Sequence, residues 1–166
     1  MARLTSRLIV SLLVLASLPG LIPAADGPIA SRAELAVLDR FTGEWTGAIE
    51  GGDSRMKLTH HWILGGHVLE TRLTLDDSYE AVMHRTFDRD AGKYVMSYHD
   101  NSGSVLHLTG LWDASQKALV MEGVRTEGDV TLTMTFVDED TLQWTLVQKS
   151  ADTGSTIRGT HRRVKD

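Results

Sequence analysis

A chain of 166 residues with a formal net charge of −5, 42% apolar residues and no cysteine can build one hydrophobic core, and must do so without disulfide staples. The absence of any thiol excludes disulfides, thiolate metal sites and a cysteine nucleophile. The acidic balance argues against nucleic acid and anionic membranes as partners, and the one basic run, His161-Arg162-Arg163-Val164-Lys165, has the length of a solvated strand end.

At the start, Arg3 and Arg7 precede the apolar run Leu8 to Ala16, Pro19-Gly20 break it, and Ala24 and Ala25 follow. That order predicts a secretory signal over 1–25, cleaved near Ala24 or Ala25. The apolar run is short for a bilayer span, an uncleaved anchor being the alternative, and no cysteine follows that could carry a lipid. The remaining 26–166 has the length of a single domain without a membrane span, and its expected location is secreted or periplasmic. An exported chain without cysteine is more typical of a bacterium than of an animal extracellular module.

Ser31 to Phe41 predicts a short helix, with Ser31 as N-cap, Glu34 three residues on, and Leu35, Leu38 and Phe41 at helical spacing. Strands follow over Gly43–Glu50, Arg55–Ile63, His67–Leu75, Ser78–Phe87, Lys93–Asp100, Ser104–Trp112, Lys117–Arg125, Val130–Val137, Thr141–Lys149 and Thr156–Val164. Between them lie turn clusters such as Gly51-Gly52-Asp53, Gly65-Gly66, Asp76-Asp77, Asn101-Ser102-Gly103 and Glu127-Gly128-Asp129. Loops this short make consecutive strands antiparallel neighbours. About ten such strands predict an all-β, up-and-down antiparallel barrel wide enough for a small ligand, two packed sheets being the alternative.

Period two sorts the residues by face. Val130, Leu132, Met134 and Phe136 oppose Thr131, Thr133 and Thr135, and Leu142, Trp144 and Leu146 oppose Gln143 and Thr145. The same rule groups Met56, Leu58, His60 and Trp62; His67, Leu69 and Leu73; Tyr79, Ala81, Met83, Arg85 and Phe87; and Ile157, Gly159, His161 and Arg163. The segments around Tyr94–Tyr98 and Val105–Trp112 are apolar on both faces. The polar exceptions on the inward face are His60, His67, Arg85 and His161, and a polar group inside a barrel needs a partner, a water or a ligand.

Gly43-Glu-Trp45-Thr-Gly47 behind the short helix, Trp62-Ile-Leu-Gly65-Gly66-His67-Val-Leu69-Glu70, Phe87-Asp88, Gly92-Lys93-Tyr94-Val95, Asp100-Asn-Ser-Gly103 and Gly110-Leu-Trp112-Asp113 together resemble the bacterial family called domain of unknown function 1579. The resemblance covers nearly all of 26–166 and implies a lipocalin-like barrel, often behind a signal peptide, with no established activity. The Gly-x-Trp-x-Gly start is also similar to the wider calycin group of lipocalins, fatty-acid-binding proteins and nitrobindins, which implies that Trp45 packs across one end of the barrel. By the nitrobindin likeness, His161 is a candidate haem ligand, although Ala48-Ile49-Glu50 departs from that pattern.

Three functional readings follow, beside a purely structural one in which the interior is filled and the outside of the barrel contacts a partner. The leading one is a non-enzymatic binding barrel holding a small apolar or amphipathic molecule, with Arg85 and Tyr79 meeting a carboxylate and His60, His67, His161 and Trp62 lining the same interior. The second is a haem module on His161, with a strand-end histidine bonded to a neighbour as the plainer account. The third is an enzyme using His60, His67 or Arg85 as acid–base groups. His60 and His67 could approach across the Gly65-Gly66 turn, but no third metal ligand is visible. Asp88-Arg-Asp90-Ala-Gly92 is a hairpin turn rather than a calcium loop, because the twelfth position is His99. No nucleophile elbow, phosphate loop or dinucleotide fingerprint occurs.

Overall fold

The computed structural model describes residues 32–125, 128–149 and 154–165. The leader expected over 1–25 and the Ser31 cap lie outside the described residues, as do parts of the two turns near 127 and 152. A short helix, α1 (Arg32–Asp39), leads into ten strands: β1 (Gly43–Ile49), β2 (Arg55–Ile63), β3 (Val68–Leu75), β4 (Tyr79–Asp88), β5 (Lys93–Asp100), β6 (Val105–Asp113), β7 (Ala118–Arg125), β8 (Gly128–Phe136), β9 (Thr141–Lys149) and β10 (Gly154–Arg163). Every strand pairs antiparallel with its neighbour in sequence. The tenth returns to the first, with Trp45 opposite Arg163 and Ile49 opposite Gly159, so the barrel closes. The ten expected strands are all present, with ends moved by one or two residues.

Turn chemistry explains the tight corners. Asp76 and Asp77 both take positive φ (50° and 57°), and Ser78 N–H bonds back to Leu75 C=O. That is the backbone twist a two-residue hairpin needs. The second connection is different: Leu64–Gly66 forms a single 3-10 turn between β2 and β3.

Alternation holds along the walls. Met56, Leu58 and His60 are buried on β2, and Ala81, Met83 and Arg85 on β4, while their neighbours face water or the rim. The two strands that are apolar on both faces are resolved by burial. Tyr94 and Met96 on β5 and Leu106 and Leu108 on β6 point inward, leaving Val105 and Leu111 exposed outside.

One end of the barrel is plugged. Leu35 and Leu38 of α1, and Phe41 just after it, are buried against Trp45 and Phe136, with the Phe41 and Phe136 rings edge to face at 4.8 Å. Four tethers hold the plug. Trp45 Nε1 donates to Phe41 C=O (2.7 Å), Trp62 Nε1 to Asp39 Oδ1 (2.7 Å) and Tyr94 Oη to Glu34 C=O (2.9 Å). Arg163 lies 4.3 Å over the Trp45 ring and donates to the carbonyls of Arg40 (2.9 Å) and Thr42. Its guanidinium thereby satisfies carbonyls of the link between α1 and β1, while Phe41 N–H and Thr42 N–H close the helix end on Leu38 and Asp39.

Candidate functional site

Above the Phe41 plug the barrel encloses a cavity of about 360 Å³. Its walls are mostly Met, Leu and Ile side chains, and its polar groups collect at two levels. His60, Arg85 and His161 form a buried floor. Tyr79, Tyr98, Asp100 and Arg125 stand at strand ends on the side away from α1.

Arg85 dominates the floor. It is 4% exposed, and no carboxylate pairs with it among the described residues. Nη1 donates to Thr71 Oγ1 (2.9 Å), Nη2 meets only the thioethers of Met83 (3.6 Å) and Met134 (3.9 Å), and Nε has no partner. The Phe41 ring lies 5.2 Å beneath the guanidinium. Burial lowers the Arg85 pKa to about 10, so the group remains charged at neutral pH. A buried cation with one hydroxyl acceptor and no counter-charge is costly to keep.

Thr71, fully buried on β3, joins Arg85 to His60. Its Oγ1 sits 2.7 Å from His60 Nδ1. The Thr71 hydroxyl thus accepts from Arg85 and shares a hydrogen bond with His60 Nδ1. Burial first, then the charge of Arg85, holds the His60 pKa well below its ordinary value. His161 is lowered to about 4 for the same two reasons. The floor at neutral pH is therefore one positive charge flanked by two neutral imidazoles.

His161 is seated by what its neighbours lack. A Cβ on Gly47 would stand 2.2 Å from His161 Cδ2, so β1 needs glycine there. A Cβ on Gly159 would similarly strike the Trp144 ring, whose centroid lies 5.9 Å from that of His161. His161 Nε2 rests 3.4 Å from Met56 Sδ. An iron on that nitrogen would have to displace the Met56 thioether. Among the described residues no group of three or more His, Asp or Glu is placed to hold a metal ion.

The rim is a separate polar centre. Tyr79 Oη donates to Asp100 Oδ2 (2.8 Å), and the Tyr98 hydroxyl touches that of Tyr79. Bonds from the Ser102 hydroxyl, and then from Tyr79, hold the Asp100 carboxyl well below its usual range. Burial, and then the bond to Asp100, push Tyr79 up to about 12.

The structure thus brings together three of the six candidate site residues, His60, Arg85 and His161. Tyr79 lines the same cavity but does not stand beside Arg85, because six strand residues separate them by about 20 Å. Trp62 does not line the cavity; its indole is tied to Asp39 at the plug. His67 is exposed: it ends the 3-10 turn with φ −99° and ψ −21°, before β3 begins, and so escapes the alternation of that strand. Unforeseen were Thr71, Trp144, Tyr98, Asp100 and Arg125. Thr71 had a signal, since it falls between the inward Leu69 and Leu73.

The chain matches the family described as "Protein of unknown function (DUF1579)" over residues 30–163. It belongs to the DUF1579 family. No curated relative matches the chain. For this DUF1579 member the chemistry must therefore be argued from the cavity itself. Among its described residues no helix is long and apolar enough to cross a membrane.

Proposed function

We propose that this DUF1579 protein is an exported, lipocalin-like binding barrel for a small amphipathic monoanion, its apolar body in the cavity and its charged end at Arg85. The observation that carries the reading is Arg85 itself, a buried guanidinium on the wall of an apolar cavity with no carboxylate beside it among the described residues. Such a group is tolerated where an incoming anion supplies the missing charge, and a planar carboxylate suits its fork. The volume lies at the small end of ligand pockets. One cation beside two neutral histidines favours a monoanion over a doubly charged phosphate.

The test is a titration with straight-chain monocarboxylates of increasing length, set against alkyl phosphates and alcohols of equal length. Carboxylates should bind best, and Arg85→Met should weaken them by about 10- to 100-fold, the loss of a charge-assisted hydrogen-bonded pair. Unchanged affinity in Arg85→Met would refute the reading. Export rests on the Arg3/Arg7 leader and its apolar run. N-terminal sequencing of secreted or periplasmic material should begin just after Ala24 or Ala25, and a mature chain beginning at Met1 would overturn that part.

A further inference from the structure

The cavity has a second polar pole that the binding reading leaves without a use. On β4 the inward residues between Arg85 and Tyr79 are Met83 and Ala81, and neither side chain offers an O–H or N–H. Beyond them Tyr79, Tyr98 and Asp100 stand together at the end of the cavity away from α1. The β4–β5 register sets Ala81 opposite Asp100 and Met83 opposite Tyr98, so Tyr79, one inward place further along β4, reaches across to the carboxylate. A chain molecule long enough to fill the cavity from Arg85 brings its other end to these three side chains.

The trio is short of donors. Asp100 is fixed by its own turn: Oδ1 accepts from Ser102 N–H (2.9 Å), the Ser102 hydroxyl (2.6 Å) and Ser104 N–H (3.0 Å). Such bonds, that of the Ser102 hydroxyl foremost, keep the carboxyl ionised at neutral pH. Oδ2 faces the phenols, 2.8 Å from Tyr79 Oη and 3.4 Å from Tyr98 Oη, and the two hydroxyls touch each other. Each phenol has one proton, and both have acceptors within the trio. What the trio has to spare, among the described residues, is lone pairs and one negative charge. A ligand group that meets it must donate a hydrogen bond and must not be an anion.

We infer that the ligand of this barrel is a monocarboxylate with a neutral hydrogen-bond donor, a hydroxyl, at the end away from its carboxylate, and that Tyr79, Tyr98 and Asp100 select it. The inference rests on the binding reading above and adds the other half of the ligand. A terminal hydroxyl leaves water on entering the cavity, so it gains affinity only where a protein acceptor replaces that water. The trio supplies one at a fixed height above Arg85, and that height selects chain length as well as chemistry. Arg125 also lines this end of the cavity from β7, which argues against a cationic group in place of the hydroxyl.

The experiment is calorimetric titration of the purified protein with matched series of straight-chain carboxylic acids: unsubstituted, ending in a hydroxyl, ending in a methyl ether, and ending in a second carboxylate. The hydroxy acid should bind about three- to tenfold more tightly than the unsubstituted acid of the same length, the yield of one good hydrogen bond. That gain should be confined to the lengths that reach from Arg85 to Asp100. The ether, which accepts but does not donate, should show no gain, and the dicarboxylate should bind more weakly than the hydroxy acid. Asp100→Asn places N–H donors beside the phenols and frees a phenolic proton, so there the advantage of hydroxyl over ether should fall to about twofold or less.

An unsubstituted acid or an ether that binds as well as the hydroxy acid at every length would overturn the inference and leave the binding reading intact. So would a dicarboxylate that outbinds it, which would give the outer end to Arg125, or an undiminished hydroxyl preference in Asp100→Asn. Where that variant does not fold, the ligand series on the wild type decides alone. If none of the acids binds the wild type, and Arg85→Met is indistinguishable from it, the binding reading falls and the selection of a hydroxyl falls with it.

Discussion

Arg85 is where the cost of a site is visible in a single residue. Its charge is buried, and among the described residues its Nε is unpartnered and Thr71 is its only oxygen acceptor. Replacing an uncompensated buried charge with an apolar side chain of similar length should relieve that cost. Ligand-free Arg85→Met is therefore expected to be as stable as the wild type or more so, by about 1–2 kcal/mol in urea denaturation. A loss of several kcal/mol would mean that Arg85 serves the fold and not a ligand. Thr71→Val should cost about 1–3 kcal/mol, because it strips the acceptor from Arg85 and the hydrogen-bond partner from His60 Nδ1 at once. The inward position of Arg85 was legible from period two. Thr71 was not singled out, because threonine is ordinary in strands and only its contact with two charged or polar neighbours makes it matter. His67 was misplaced because a 3-10 turn, with no mark in the alternation, breaks the pattern just ahead of β3.

Among the elements, β1 shows how a short motif does two jobs. In Gly43-Glu-Trp45-Thr-Gly47, the tryptophan packs over the plug and the second glycine vacates the space that His161 fills from β10. Gly47→Ala should force the imidazole aside and cost about 1–3 kcal/mol, as overpacking does, with the His161 ring resonances shifted. Wild-type stability and spectra in that variant would contradict the packing. Helix α1 is eight residues long, too short to stand alone. It depends on its tethers, so Arg163→Met, which strips the bonds to the Arg40, Thr42 and Glu139 carbonyls, the ion pair with Asp140 and the stack on Trp45, should lower unfolding stability by about 2–3 kcal/mol and loosen the plug first in hydrogen exchange. The Trp45 end-packing was expected from the sequence. The role of Arg163 was not, since its partners at Arg40 and Thr42 lie more than a hundred residues away.

For the molecule as a whole, the interior sets the response to acid. His60 and His161 titrate lower in the folded barrel than their ordinary value near 6.5, His161 at about 4. The unfolded chain therefore binds protons first as pH falls, and the stability held above about pH 6.5 is lost on the way down toward 4. Each histidine contributes a slope of about 1.4 kcal/mol per pH unit in that window. Urea midpoints should fall from pH 7 to pH 5, and a variant carrying both His60→Gln and His161→Gln should give a flatter profile. A wild-type profile level across that range would show that the two imidazoles are not held neutral inside.

What the sequence by itself determined is the barrel: strand number, order, antiparallel pairing and most of the inward face follow from alternation and turn residues, which act over a few neighbouring positions. What only the tertiary structure decided is the division of the polar residues. Closure of β10 on β1 and the tilt of ten strands gather His60, Arg85 and His161 on one floor and hold Tyr79 about 20 Å along its strand from Arg85. Those outcomes depend on which side chains meet across the interior, and local pattern carries no record of the far wall.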